Sequence, residues 1–131
     1  MDWHGDLDDS IEKLANKLIG SALEVHRILG PGYIENVYEE ALAKELHLRM
    51  IPFERQKIID IRYKGFSIGE GRLDLLIDQK IIVDIKSVEN LLPIHSVQVN
   101  SYLKATGLQL GLLINFNVSL LRDGIKRIIR T

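Results

Sequence analysis

The sequence predicts one mixed α/β domain, and three observations carry that reading. Up to about residue 50, apolar residues recur every three or four positions, the period of amphipathic helices. From Pro52 the period shortens to two, and apolar runs of strand length follow one another between turn residues. A further helical stretch then leads into one more apolar run, and such mixing of periods marks a sheet flanked by helices. The chain has 131 residues, a normal length for a single domain with its own core, so residues 1–131 are taken as one unit.

Ile11, Leu14, Leu18, Ala22, Val25 and Leu29 form the stripe of a first helix. Asp9, with Glu12 three residues later, resembles a capping box. "GPG" at 30–32 stops this helix, because glycine accepts the left-handed conformation and proline cannot continue the hydrogen-bond ladder. A second helix is expected from about residue 34 to 49, with Val37, Ala41, Leu42 and Leu46 turned inward.

Ile59, Ile61 and Tyr63 then alternate with polar residues as in a strand, and "YKG" turns the chain. "GRLDLLI" and "KIIVDIKSV" predict two more strands around Asp78 and Gln79. Pro93 suits the first turn of a third helix, which Gly107 ends. "LQLGLLINF" is apolar throughout and predicts a strand buried on both faces. "GIKRIIR" predicts a short final strand.

Composition narrows the chemistry. With 17 Lys+Arg against 18 Asp+Glu the net charge is −1, so any nucleic-acid partner must be held by a local patch or by cations. The absence of cysteine excludes disulfides, thiolate metal sites and cysteine nucleophiles together. No apolar run approaches the roughly 20 residues of a membrane span, and the start "MDWHGDLDDS" is acidic and polar, unlike a signal peptide. A cytoplasmic location is the resulting expectation, with no membrane partner.

Three charges interrupt the apolar hairpin "LDLLIDQKIIVDIKS": Asp74, Asp84 and Lys86. Alternation puts Asp84 and Lys86 on one face while Ile85 points away. Alone, that pattern is more often a charged outer face. Asp74 brings another carboxylate inside the neighbouring strand, and two adjacent carboxylates repel unless a cation lies between them. Hard oxygen ligands without His or Cys suit Mg²⁺, or Mn²⁺. The two carboxylates can share a face only with a three-residue turn at Asp78-Gln79-Lys80 or a bulge, since a two-residue turn would set Asp74 opposite Val83.

Asp74, nine further residues and then Asp84-Ile85-Lys86 resemble the D…(D/E)xK signature of the PD-(D/E)XK nuclease superfamily, with Leu73 in place of the proline. "GYIENVY" at 32–38 resembles the motif that names the GxxExxY protein family, a compact branch of that superfamily. The resemblance implies a restriction-endonuclease-like αβββαβ core with a mixed sheet, flanking helices and an extra N-terminal helix. It also implies a metal shell of Glu35, Asp74, Asp84 and the Ile85 carbonyl. Glu35 is equally well read as a solvated glutamate favoured by the helix dipole. Tyr38, one turn on, could orient Glu35 or simply pack, and Gly32 serves the backbone at the helix entrance.

Gln98 and Tyr102 share a helix face and resemble a QxxxY motif that supports the active site and the nucleic-acid strand in exonuclease-like relatives, although a lone pair of this kind is more often a polar residue beside a core tyrosine. His95 lies one turn earlier, where it could meet a phosphate or face solvent. His4, His26 and His47 show no metal-ligand spacing. Arg72 and "GIKRIIR" could contact phosphate, although so few charges are more often solvated surface.

Two functions follow as expectations. The first is a Mg²⁺-dependent nuclease, a phosphodiesterase acting on nucleic acid, with DNA favoured. Asp74, Asp84, Lys86 and Glu35 would be its catalytic residues, and Gln98, Tyr102, Tyr38 and His95 its supporting ones. The second is a nuclease-fold module without effective catalysis that binds nucleic acid or a partner protein. A domain this small could need a second copy or another protein to enclose a strand. A small-molecule enzyme ranks last, because no glycine-rich phosphate loop or nucleophile–base pair is evident.

Overall fold

The computed structural model describes residues 7–130; the acidic start of the chain, with His4, lies outside the described residues. Helices α1 (Asp9–Leu29) and α2 (Glu35–Leu48) precede strands β1 (Phe53–Tyr63), β2 (Phe66–Ile77) and β3 (Ile81–Lys86). Helix α3 (Pro93–Thr106), strand β4 (Leu110–Asn115), a 3-10 turn (Leu121–Gly124) and strand β5 (Ile125–Ile129) complete the domain. The sheet runs β1-β2-β3-β4-β5 and is antiparallel except for the parallel β3–β4 pair. Helix α3 provides the crossover that a parallel pair requires. Among the described residues no helix is long and apolar enough to cross a membrane.

Helices α1 and α2 cover one face of the sheet. Leu18, Ala22, Leu42 and Leu46 pack there with Leu75, Ile77, Val83, Ile85, Leu112 and Ile114. Burying each large side chain stabilises the fold by about 1.5–3 kcal/mol. On the other face Leu73, Leu76 and Ile82 meet Leu103 of α3. That helix lies close to β4 because residue 111 is glycine: a Cβ there would come within 2.5 Å of a Val99 methyl.

The elements follow the expected order, with corrections at their edges. Asp8, rather than Asp9, caps α1, its carboxylate accepting from the Ile11 N–H at 2.9 Å. Asp9 is instead the first helical residue, where its charge still complements the dipole. Strand β2 begins at Phe66, well before "GRLDLLI", so β1 and β2 form a long hairpin. Its outer half has glycines at 69 and 71, residues that ordinarily weaken a strand.

That hairpin changes face halfway along. Regular alternation would put residues 71, 73, 75 and 77 on one side of the sheet. Leu75 and Ile77 do pack toward α1 and α2, yet Leu73 packs toward α3 and a Cβ on Gly71 would meet the Tyr102 ring at 2.8 Å. The switch falls at Asp74. Strand β1 switches between the pairs Arg55↔Leu75 and Lys57↔Leu73, where Gln56 has φ 50°. A left-handed residue there costs about 1–2 kcal/mol, offset in part by the 2.7 Å hydrogen bond from Gln56 Nε2 to Glu39.

Candidate metal and phosphodiester cleft

The β2–β3 turn sets the geometry. Asp78 and Gln79 both have positive φ, 47° and 59°, and the Lys80 N–H reaches the Ile77 carbonyl at 2.9 Å. The ladder then pairs Ile77 with Ile81, Leu76 with Ile82 and Leu75 with Val83. This is the three-residue turn, one of the two arrangements expected to bring the carboxylates together. One register step further, Asp74 would face Asp84, but the regular ladder stops and the strands part.

Asp74 bridges the gap by another route. Its Oδ2 accepts from the Ile85 N–H at 2.7 Å, and the carboxyl also interacts with the Asp84 side chain. The Ile85 side chain meanwhile anchors β3 in the core on the opposite face. Asp84 lies near Asp74 and holds Lys86 Nζ at 3.3 Å. Burial pushes the Asp74 carboxyl up to about 6; the Ile85 N–H opposes this rise, nearby Asp84 adds to it and Lys86 counters it.

These groups line a cleft of about 170 Å³ with Arg72, Leu73, Gln98 and Tyr102 among its other walls. Gln98 Nε2 donates to the Tyr102 hydroxyl at 3.3 Å, joining the two across one helical turn. Gly71 permits the Tyr102 ring to lie against β2.

The remaining sequence-derived residues stand elsewhere. Glu35 is exposed in the first turn of α2 and does not line the cleft. Tyr38 is fully buried: its hydroxyl donates to the Gly30 carbonyl at 2.6 Å and accepts from the Tyr33 N–H at 3.2 Å, and its ring stacks on Phe116. It thereby fastens the "GPGY" loop to the core. His95 also lies off the cleft, its Nδ1 accepting from the Leu92 N–H at 3.0 Å at the start of α3.

Sequence reasoning missed Asn115, which fixes the path of the chain beyond Lys86. This buried side chain accepts from the Val88 N–H at 3.0 Å and donates to the Val88 carbonyl at 2.9 Å. The Phe116 N–H also donates to the Lys86 carbonyl at 2.9 Å. A lone polar residue at the end of an apolar strand was the available signal, because a buried amide must find partners.

The donor set can be tested against a metal ion. Among the described residues no group of three or more His, Cys, Asp and Glu side chains is placed to hold one. Two carboxylates suffice for Mg²⁺, which keeps several waters and commonly takes one or two carboxylates together with substrate phosphate. The fit is therefore to a hard divalent ion completed by water and substrate.

Comparison with known proteins adds a lineage. A solved structure entitled "Crystal structure of SSO0001" matches with a TM-score of 0.54 and 21% identity over 72% of this chain. The match covers 49% of that chain, so this domain spans about half its length, and at such identity the likeness speaks for the fold alone. Comparison with curated proteins found no match. A family model for the PD-(D/E)XK nuclease superfamily matches residues 12–128, nearly the whole domain, including both carboxylates and Lys86. The chain belongs to the PD-(D/E)XK nuclease superfamily.

Proposed function

We propose that this domain is a Mg²⁺-dependent phosphodiesterase acting on nucleic acid, with DNA as the favoured substrate. The observation that carries the reading is the meeting of Asp74, Asp84 and Lys86 in one cleft, set by the three-residue turn. Asp74 and Asp84 would hold the ion, with the Ile85 carbonyl available beside them and Mn²⁺ as an alternative. When bound, a divalent ion lowers the pKa of water and offsets charge on a phosphate.

The chain's own groups do the rest. The Ile85 N–H keeps Asp74 turned into the cleft. Lys86, held by Asp84, presents a compact positive charge to the water and to the negative charge that develops on the phosphate. Gln98 and Tyr102 form a polar wall against which the nucleic-acid strand would lie.

The test is a metal-dependent cleavage screen over labelled single-stranded, duplex and structured DNA and RNA. Cleavage by the wild type that disappears in Lys86→Ala supports the reading, and equal cleavage by both proteins sinks it. One observation favours a second reading, a binding module without effective catalysis: Glu35 lies off the cleft, which leaves two carboxylates there. Mg²⁺ titrations of wild type and Asp84→Ala, followed as both binding and cleavage, separate the two.

A further inference from the structure

The sheet ends on two unlike edges. Strand β5 has only 5 residues, a short edge of the kind that resists further pairing, whereas β1 has 11. Among the described residues no strand lies beyond β1, and none of its backbone groups hydrogen-bonds outside the ladder with β2. From Lys57 to Tyr63 that ladder is continuous on the β1 side; its one irregularity leaves the extra residue, Ile68, on β2. Alternation along this part of β1 is therefore regular.

Ile59 packs with Leu73 on the α3 side, so Ile61 and Tyr63 share that face, and Asp60 and Arg62 lie on the other. Arg62 donates to Asp60 there at 2.9 Å, an exposed ion pair. Tyr63 is 58% exposed, and Ile58, Phe66 and Ile68 of the same hairpin are exposed as well. Beside Ile59 lies a cavity of about 450 Å³, with Leu73 and Leu108 among its walls. Asp60 and Arg62, from the opposite face of β1, also line it, so it opens at the outer edge of the strand.

This edge is complementary to itself in one register. A second β1, laid antiparallel with Ile61 opposite its own copy, sets Asp60 against Arg62 twice on one face. On the other face it sets Ile59 against Tyr63 twice. Opposite charges and aromatic–β-branched pairs are the cross-strand neighbours that stabilise a sheet. An axis one residue to either side would instead oppose Asp60 or Arg62 to itself. Charges placed only to blunt an edge need no such order, and a two-fold pairing closes an edge that is otherwise open to any strand.

We propose that β1 is the interface of a homodimer, in which two sheets join edge to edge about a two-fold axis at Ile61. The Tyr63 ring of each copy then lies beside Ile59 of the other, at the mouth of the cavity. The axis stands perpendicular to the joined sheet, so both carboxylate clefts open on one face of it. The pairing is independent of the chemistry at those clefts.

The oligomeric state of the full chain tests this, with thermal melting to verify that each variant is folded. Sedimentation equilibrium of the wild type should show a reversible dimer forming in the micromolar range; a monomer at every concentration overturns the proposal. Asp60→Arg and Arg62→Asp each oppose like charges across the axis, and each should weaken self-association about tenfold. An equimolar mixture of the two variants should recover it, because two cations on one chain then meet two carboxylates on the other. The contact between residues 60 and 62 within one chain is lost in both variants, so only pairing between chains gives this recovery. A mixture no more associated than its components overturns the proposal.

A second measurement uses the absence of cysteine from the chain. Directly opposed residues have Cβ atoms about 4.5–5.5 Å apart, close to the reach of a disulfide. Ile61→Cys should therefore form a disulfide-linked dimer under mild oxidation, at least about tenfold faster than Ile58→Cys, which lies far from its own copy in this register. Equally slow cross-linking at both positions overturns the register, whether or not the charge variants fold.

Discussion

On the α2 side of the sheet Glu39 and Glu40 share one guanidinium, and on the α3 side Asp74 and Asp84 lie beside one ammonium. The first pair is closed. Arg55 donates twice to Glu39 Oε2, at 3.0 and 2.8 Å, and once to Glu40 at 3.1 Å, while Gln56 fills the other Glu39 oxygen. The second pair is open: one N–H satisfies an oxygen of Asp74, and one lysine meets Asp84. Carboxylates gathered for structure are supplied with donors by the fold itself. A half-buried pair left short of positive charge is what the proposed cation and substrate would complete.

The largest expected effect removes the one cation bound within the open pair. Lys86→Ala should lower metal-dependent cleavage by at least about 10²–10³-fold, the scale of losing a preorganised electrostatic group. The fold should be retained with a modest loss of melting temperature, because Asp84 loses its partner beside Asp74, so turnover is compared per folded molecule. Undiminished turnover would remove Lys86 from the chemistry.

The closed pair should respond in the opposite sense. Arg55→Ala leaves the buried Glu39 carboxylate without its main partner and should destabilise the fold by about 2–3 kcal/mol, read by urea denaturation. Cleavage per folded molecule should not change. Combining Arg55→Met with Glu39→Gln should recover much of the stability, since the charges then leave together. If Arg55→Ala instead lost cleavage at full stability, the contrast between the two pairs would collapse.

Much of this contrast was legible before the structure. Period changes set the order of elements, and the demand that two carboxylates share a face predicted a three-residue turn or a bulge, of which the turn pairing Ile77 with Ile81 is present. The outer half of β2 was hidden by Ser67, Gly69 and Gly71, whose backbone pairing outweighs their poor strand propensity. The face switch at Gln56 and Asp74 was invisible for a deeper reason. It depends on α2 and α3 pulling the two halves of one hairpin to opposite sides, a tertiary effect with no local signature. Tyr38 shows the same limit: its spacing from Glu35 was plain, but its bonds to the preceding loop depend on how the two helices meet.

A smaller effect follows from acidity. The Asp74 carboxyl is raised from 3.8 to about 6, so between those values the folded protein holds a proton that the unfolded chain has released. The sign is therefore a stabilising contribution that is full below about pH 4 and lost as pH rises through about 6. A shift of this size, discounted for the partial exposure of the group, amounts to about 1–2 kcal/mol. In metal-free buffer the stability of wild type relative to Asp74→Asn should fall across this window and level off above it. A difference that is flat from pH 4 to 7 would show that Asp74 is not strained by burial and by its neighbour.

The smallest expected effect concerns the ion itself and divides the two carboxylate pairs most directly. Mg²⁺ or Mn²⁺ that binds the folded protein and not the unfolded chain stabilises by mass action, about 1 kcal/mol when the ion is at several times its dissociation constant. A millimolar ion should therefore raise the melting temperature by a few degrees for a domain of this size. Asp84→Asn removes both repulsion and a ligand, so it should raise the metal-free melting temperature while reducing the response. Lys86→Ala should preserve the response, because in the proposed mechanism its charge would serve the phosphate and the water rather than the ion. Arg55→Ala should start from a lower temperature and gain as much as the wild type, since its carboxylates are not available to metal. A wild-type melting curve indifferent to millimolar ion would mean that the open pair holds no preformed cation site, and that any ion arrives with the substrate.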